Sequence, residues 1–344
     1  PRVRPLLRTG GLAGGGGPPG DWARGPAATA AWTSPALDTW SYVNSFSSGG
    51  RATSPTFSGG FAIDDETGQF LPHGSSSPIR YGTTIVAFNT SEQIPLGLPA
   101  NRYAIQSATL TVSLEPSGNG PLLYTDQPKS AAQLLADVAQ GTLTTALPFE
   151  LCGVGFPNGY AGFGLSAGGA SPPLFRESTS PYTSGAYNLY PVVGDEELAG
   201  AFVDVSNNVT GGFSATAPGG TTPAFEATPW AIGTAPLAPG SAIAGTTTIT
   251  FAVDLEQPGV LGYMQQALST GALGFAVSSL HATEQEGAGA AYPNWFMKES
   301  VGVLGGIAPT LSIEYDVGVP LAGDFDGDQS VTGGGFFLWR RGCG

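Results

Sequence analysis

The chain has 344 residues, 26 of them acidic and 12 basic, for a formal charge of −14. A surface of that sign repels a phosphate backbone, which excludes non-specific nucleic-acid binding as the main activity. Glycine and proline number 53 and 29, yet 41% of residues are hydrophobic and 10% aromatic, so a wholly disordered chain is excluded and long loops around packed cores are expected.

Residues 1–30 are rich in Gly, Pro and Arg and read as a disordered leader. From Trp32 the texture changes. An early strand carries Trp40, and "TTIVAF" (83–88) and "YAIQSATLTVSLE" (103–115) alternate apolar and polar residues as half-buried strands do. Ala108, Leu110, Val112 and Leu114 fall on one face of the second of these, with Thr109, Thr111 and Ser113 on the other. "KSAAQLLADVAQG" (129–141) has helical spacing and a terminal glycine. The stretches 153–200 and 207–245 read as Gly/Pro/Ser/Thr-rich insertions carrying aromatic residues such as Trp230. "AFVDVS" (201–206), "TTTITFAVDL" (246–255), "GALGFAVSSL" (271–280) and "PTLSIEYDV" (309–317) are further strands, and "PGVLGYMQQALSTG" (258–271) is a second helix, opened by proline and closed by glycine. No run of about 20 apolar residues is present, so no membrane-spanning helix is predicted. Strands without β-α alternation imply an all-β fold, an antiparallel jelly-roll-like sandwich over 31–318 with insertions near 116–245 and two short helices. A tail occupies 319–344.

Candidates for chemistry are few. His73 and His281 have no nucleophile or ligand partner in sequence, and Cys152 and Cys343 make no metal spacing. The acidic runs at 63–68, 194–200, 253–257 and 281–287 read first as solvated turns. Asp64, Asp65 and Glu66 could serve a structural calcium, whereas hydrolysis would need two carboxylates about 5–10 Å apart across a cleft. Tyr292 and Trp295 in "YPNWF", with Trp230 in the insertions, are candidate platforms for sugar CH faces, against the alternative of anchoring the core.

The order "DTW" (38–40), "RYGTTIVAFNTSEQIPLGLPANRYAIQSATLTVSLE" (80–115), "VDL…VLGYMQQALSTGALGFAVSSL" (253–280) and "APTLSIEYDV" (308–317) resembles the DNRLRE-like, carbohydrate-binding-module-like jelly rolls of bacterial secreted proteins. The resemblance implies a non-catalytic sandwich that binds or displays something else, outside the cell or on its surface. The tail "GDFDGDQSVTGGGFFLWRRGCG" resembles one dockerin type I repeat, related to the EF-hand. On that pattern Asp324, Asp326 and Asp328 take loop positions 1, 3 and 5, Ser330 offers its carbonyl at 7, and Thr332 stands at 9. Gln329 stands where the turn wants glycine and Gly335 where a closing carboxylate belongs, so the implied calcium binding is weak. The expectation is therefore a glycan-directed binding or attachment protein, with a polysaccharide or cell-envelope glycan and a cohesin-like protein as partners. A polysaccharide-active enzyme and a purely structural envelope protein are the alternatives.

Overall fold

Alternation in the sequence becomes strand pairing wherever one strand face meets a core. The computed structural model describes residues 27–42, 51–58, 61–63, 70–72, 80–156, 160–165, 174–177, 189–198, 200–211, 223–281 and 291–317. The strands in chain order are β1 (Ala28–Trp32), β2 (Leu37–Tyr42), β3 (Thr53–Pro55), β4 (Phe57–Ser58), β5 (Phe61–Ile63), β6 (Phe70–Pro72), β7 (Arg80–Asn89) and β8 (Tyr103–Ser117). They continue as β9 (Phe149–Gly155), β10 (Tyr190–Gly194), β11 (Phe202–Asp204), β12 (Ala231–Ile232), β13 (Thr247–Ala252), β14 (Ala272–Ser279), β15 (Tyr292–Phe296) and β16 (Thr310–Val317). Helices α1 (Ala131–Gln140), α2 (Val260–Thr270) and the single turn α3 (Ser300–Val303) accompany them.

One sheet runs β1-β16-β8-β15-β3, with β13 also on β8. The other runs β11-β10-β9-β14-β7-β2, with β12 on β9 and β4 on β7, while β5 and β6 pair separately. The strand pairs are antiparallel, as between β13 and β8, β14 and β7, and β14 and β9. The chain crosses between sheets repeatedly, β1 to β2 to β3 and β13 to β14 to β15, as a sandwich requires. Residues 27–316 form one compact unit.

β8 buries Ala108, Leu110, Val112 and Leu114, the face read from its alternation. Trp295 of β15 meets Phe149 of β9 edge-on at 5.3 Å and Phe251 of β13 at 6.2 Å, so this ring joins the two sheets across the core. The second sheet is buried on both faces: β9 is buried along its whole length and β14 from Leu273 to Ser279. Its outer face is covered by the insertions. Phe163 lies on Gly274, where a Cβ would come 2.2 Å from the ring, and Leu273 and Phe275 on either side point to the opposite face.

Both predicted helices form. Ser130 and Gln133 make a reciprocal capping box at the start of α1, and Gly141 closes it in the left-handed conformation. Left-handed glycines, Gly259 and Gly271, bracket α2, which buries Val260, Met264 and Leu268. "YPNWF", assigned to no element from sequence, is strand β15. β9, β10 and β12 lie inside the region read as insertion, and β1 begins within the predicted leader. No helix among the described residues is long and apolar enough to cross a membrane.

Candidate functional site

The three aromatic residues singled out as sugar platforms do not form one surface. Trp295 is 0% exposed and donates through Nε1 to Thr56 Oγ1 at 2.9 Å, so neither ring face is open to a ligand. Trp230 is also 0% exposed, set over Gly153 of β9 and edge-on to Tyr263 at 4.8 Å. Tyr292 is half-buried and packs edge-on to Phe57 at 5.6 Å. The sugar-platform reading of Trp230 and Trp295 is thus corrected to core packing, since burial of so much apolar ring surface outweighs exposure at loop tips. Asp324, Asp326, Asp328, Ser330 and Thr332, like Asp64, Asp65, Glu66 and His73, lie outside the described residues.

The structure instead assembles a cleft from residues scattered over about 120 positions of sequence. Helix α2 supplies one wall through Tyr263, Gln266, Ala267 and Thr270, which share a face at i, i+3, i+4 and i+7. Tyr263 is pinned there because its hydroxyl donates to Gly274 O at 2.8 Å and accepts from Val154 N at 3.3 Å. Phe163 and Leu174 form a second wall. They belong to short stretches joined by a bridge between Phe163 and Phe175, with Phe156 edge-on to Phe163 at 4.8 Å. Phe202 of β11, 40% exposed, closes a third side and stands edge-on to Tyr263 at 5.7 Å. The enclosed space is about 720 Å³, inside the roughly 300–1,000 Å³ range of small-ligand sites.

A smaller hollow of about 280 Å³ adjoins it, bounded by Asp195, Glu196, Glu197, Glu226 and the edge of Trp230. The two are parted where β10 meets the start of α2. A Cβ on Gly194 would fall 1.6 Å from Pro258 O, so only glycine permits this approach. Asp195 accepts from the backbone of Glu197 and Leu198, and Glu226 from the first two amides of α1 at 2.8 and 3.1 Å. Glu196 and Glu197 are exposed, and their carboxylates make no hydrogen bond or ion pair among the described residues.

Three polar centres lie elsewhere. Arg80 and Glu150 form a buried ion pair, 3% and 5% exposed at the side chain. Arg80 also donates to Val205 O, Asn208 Oδ1 and Ser278 Oγ at 3.0, 3.1 and 3.2 Å. Asp38, Glu177 and Glu299 bring carboxylate oxygens within 4.8 Å of one another, as metal ligands do. Lys298 stands among them, with Nζ 3.0 Å from Asp38 Oδ1, 3.0 Å from Glu299 Oε1 and bonded to Glu177, so the protein supplies its own cation there. Burial pushes Asp38 up to about 7 against the opposing pull of Lys298. His281 is stacked on Phe149 at 5.5 Å and donates from Nε2 to Thr145 O at 3.1 Å. Burial drives its pKa down to about 4, which keeps the ring neutral and removes it from solvent-linked proton transfer. Cys152 is a buried free thiol whose pKa burial pushes up to about 12.

Comparison with protein-family models finds none that matches the chain, and comparisons with curated proteins and with solved structures find no match.

Of the cleft residues, Phe156 and Phe163 belong to the aromatic-bearing insertions read from sequence, whereas Phe202 and Tyr263 were passed over because each already had a structural reading, in a strand and in a helix. One signal pointed to them. In α2 the Val260, Met264 and Leu268 stripe accounts for the core, leaving Tyr263, Gln266 and Thr270 as a second, mixed aromatic and polar face.

Proposed function

We propose that the protein is a non-catalytic binding or attachment protein of the cell exterior or cell surface, directed at an uncharged glycan. The observation that carries this reading is the aromatic-walled cleft beside open carboxylates. Phe202 and Tyr263 offer ring surface to sugar CH groups, and the exposed Glu196 and Glu197 of the adjoining hollow are acceptors for hydroxyls. Neutral polyhydroxyl ligands suit such a site, since a hydroxyl satisfies an acceptor without the repulsion that an anionic polymer would meet at a chain of charge −14. The polar groups best equipped for acid-base work are otherwise engaged: His281 is neutral and bonded to a carbonyl, and Asp38, Glu177 and Glu299 share Lys298.

In this reading Asp324, Asp326, Asp328, Ser330 and Thr332 form a weak calcium loop in the tail, and a cohesin-like protein or the envelope glycan is the attachment partner. The test is retention of the full chain on an array of uncharged polysaccharides and oligosaccharides, with Phe202→Ala and the double change Glu196→Gln, Glu197→Gln alongside. Retention by the wild type, weakened about tenfold by Phe202→Ala and less by the double change, is expected. Retention that Phe202→Ala leaves untouched moves the site elsewhere. Release of reducing sugar that the carboxylate changes abolish makes the protein an enzyme.

A further inference from the structure

Among the described residues, the cleft wall bearing Phe163 and Leu174 ends in one ion pair, Glu177 with Lys298. Gly164 N donates to Phe175 O at 2.7 Å and Phe175 N to Gly162 O at 2.9 Å, so the 160–165 and 174–177 stretches are tied to each other through their backbones. Two residues past Phe175, Glu177 reaches Lys298 Nζ. That ammonium is also held by Asp38 of edge strand β2, which in addition accepts from Lys298 N at 2.6 Å, and by Glu299 in the turn after β15. Three segments distant in sequence therefore meet at one cation, and one of them carries the wall of the cleft.

The charge count at this point is unbalanced. Three carboxylates share one ammonium, an excess of two negative charges when all are ionised. The charged groups acting on Asp38, Glu177 and Glu299 are one another and Lys298. Arg176, next to Glu177, lies over Gly164 and makes no ion pair among the described residues, so it does not relieve the excess.

We propose that this hub is a pH-dependent latch on the cleft: Lys298 grips the Glu177 arm, and with it the Phe163 and Leu174 wall, most firmly when Asp38 is neutral and Glu177 is still charged. The inference rests on the reading that the cleft is the ligand site, and it adds a means of regulating that site. Asp38 is the carboxylate that yields first, because burial raises it to about 7. Burial also raises Glu177 from its ordinary value, with Lys298 opposing, and Lys298 holds Glu299 low despite its burial. Acidification through neutrality removes a competitor for the ammonium and tightens the arm. Further acidification protonates Glu177 itself and lets the arm go. The resulting profile has a maximum at mildly acidic pH, in contrast to the monotonic loss that a simple salt bridge shows.

The test is hydrogen exchange by mass spectrometry on the full chain between about pH 4.5 and 8.5, corrected for intrinsic exchange, following peptides that contain 160–165 and 174–177. Expected is a maximum of protection in those peptides at mildly acidic pH, while peptides from β7 and β14 stay flat. Glu177→Gln should lower protection there about tenfold and erase the maximum. Asp38→Asn should erase only the alkaline decline. Lys298→Met should mimic Glu177→Gln, but it strands Asp38 in the core, so Glu177→Gln is the deciding variant. A flat wild-type profile, or Glu177→Gln with unchanged protection at 160–165 and 174–177, overturns the latch. Since this readout needs no ligand, a latch that passes while the glycan arrays stay blank separates failure of the proposed function from failure of the latch.

Discussion

Arg80 with Glu150 and Lys298 with its three carboxylates are two solutions to placing charge inside the same sandwich. The first is balanced, one cation to one anion. It is almost wholly buried, and its spare guanidinium donors are used on Val205 O, Asn208 Oδ1 and Ser278 Oγ. It staples the turn after β11 to β7, β9 and β14. The second is overloaded with negative charge, and apart from Asp38 its side chains remain 22% to 31% exposed. In the balanced pair each charge has its own partner, whereas in the overloaded cluster three carboxylates divide one ammonium. Burial raises one of those three, Asp38, to about 7, so the charge of this cluster changes near neutrality.

The largest effect expected from this contrast is on stability. Arg80→Met leaves Glu150 buried without its partner and should cost about 3–5 kcal/mol in urea unfolding, whereas Lys298→Met, at a wetter site, should cost about 1–2 kcal/mol and less at pH 5 than at pH 8. Equal losses would erase the distinction between the two centres.

A smaller effect lies in the pH dependence of stability, where Asp38 and His281 oppose each other. The folded state raises Asp38 from its ordinary 3.8 to about 7, so its contribution is full below the lower value and is lost as pH rises through the upper one. The folded state lowers His281 from 6.5 to about 4, so its contribution is full above the upper value and is lost as pH falls through the lower one. Between about pH 4 and 6.5 the two slopes cancel, each at most about 1.4 kcal/mol per pH unit. Asp38→Asn should therefore make stability rise with pH across this window, and His281→Gln should make it fall. Urea midpoints that show the same slope in both variants would refute the assignment.

The smallest effect is that of salt. At 1 M NaCl the Debye length is about 3 Å, short enough to screen a part-exposed cluster, whereas a sealed pair is screened little because ions do not enter it. The difference in stability between wild type and Glu177→Gln should shrink in high salt, while that between wild type and Arg80→Met should not. Shrinkage of both would mean that water reaches Arg80.

Strands whose two faces meet different surroundings were legible in the sequence. β8 could be placed and faced from Ala108, Leu110, Val112 and Leu114 alone, and α1 and α2 from their spacing and closing glycines. β9 escaped because "FELCGVG" is buried on both faces, so it has no alternation to read. β15 escaped because Pro293 and Asn294 look like a turn until the pairing with β3 and β8 is seen.

By itself the sequence determined what depends on local periodicity and on sums over the whole chain: the all-β class, the two helices, the net acidity and the scarcity of histidine. Tertiary structure decided everything that depends on neighbours distant in sequence. It sent Trp230 and Trp295 into the core, gathered Phe163, Phe202 and Tyr263 around one cleft, and brought Asp38, Glu177 and Lys298 together across up to 260 positions. A side chain's period is written in its own strand or helix, but its burial, its pKa and its partner are set by which other strand or loop folds over it, and antiparallel pairing across two sheets makes those partners remote.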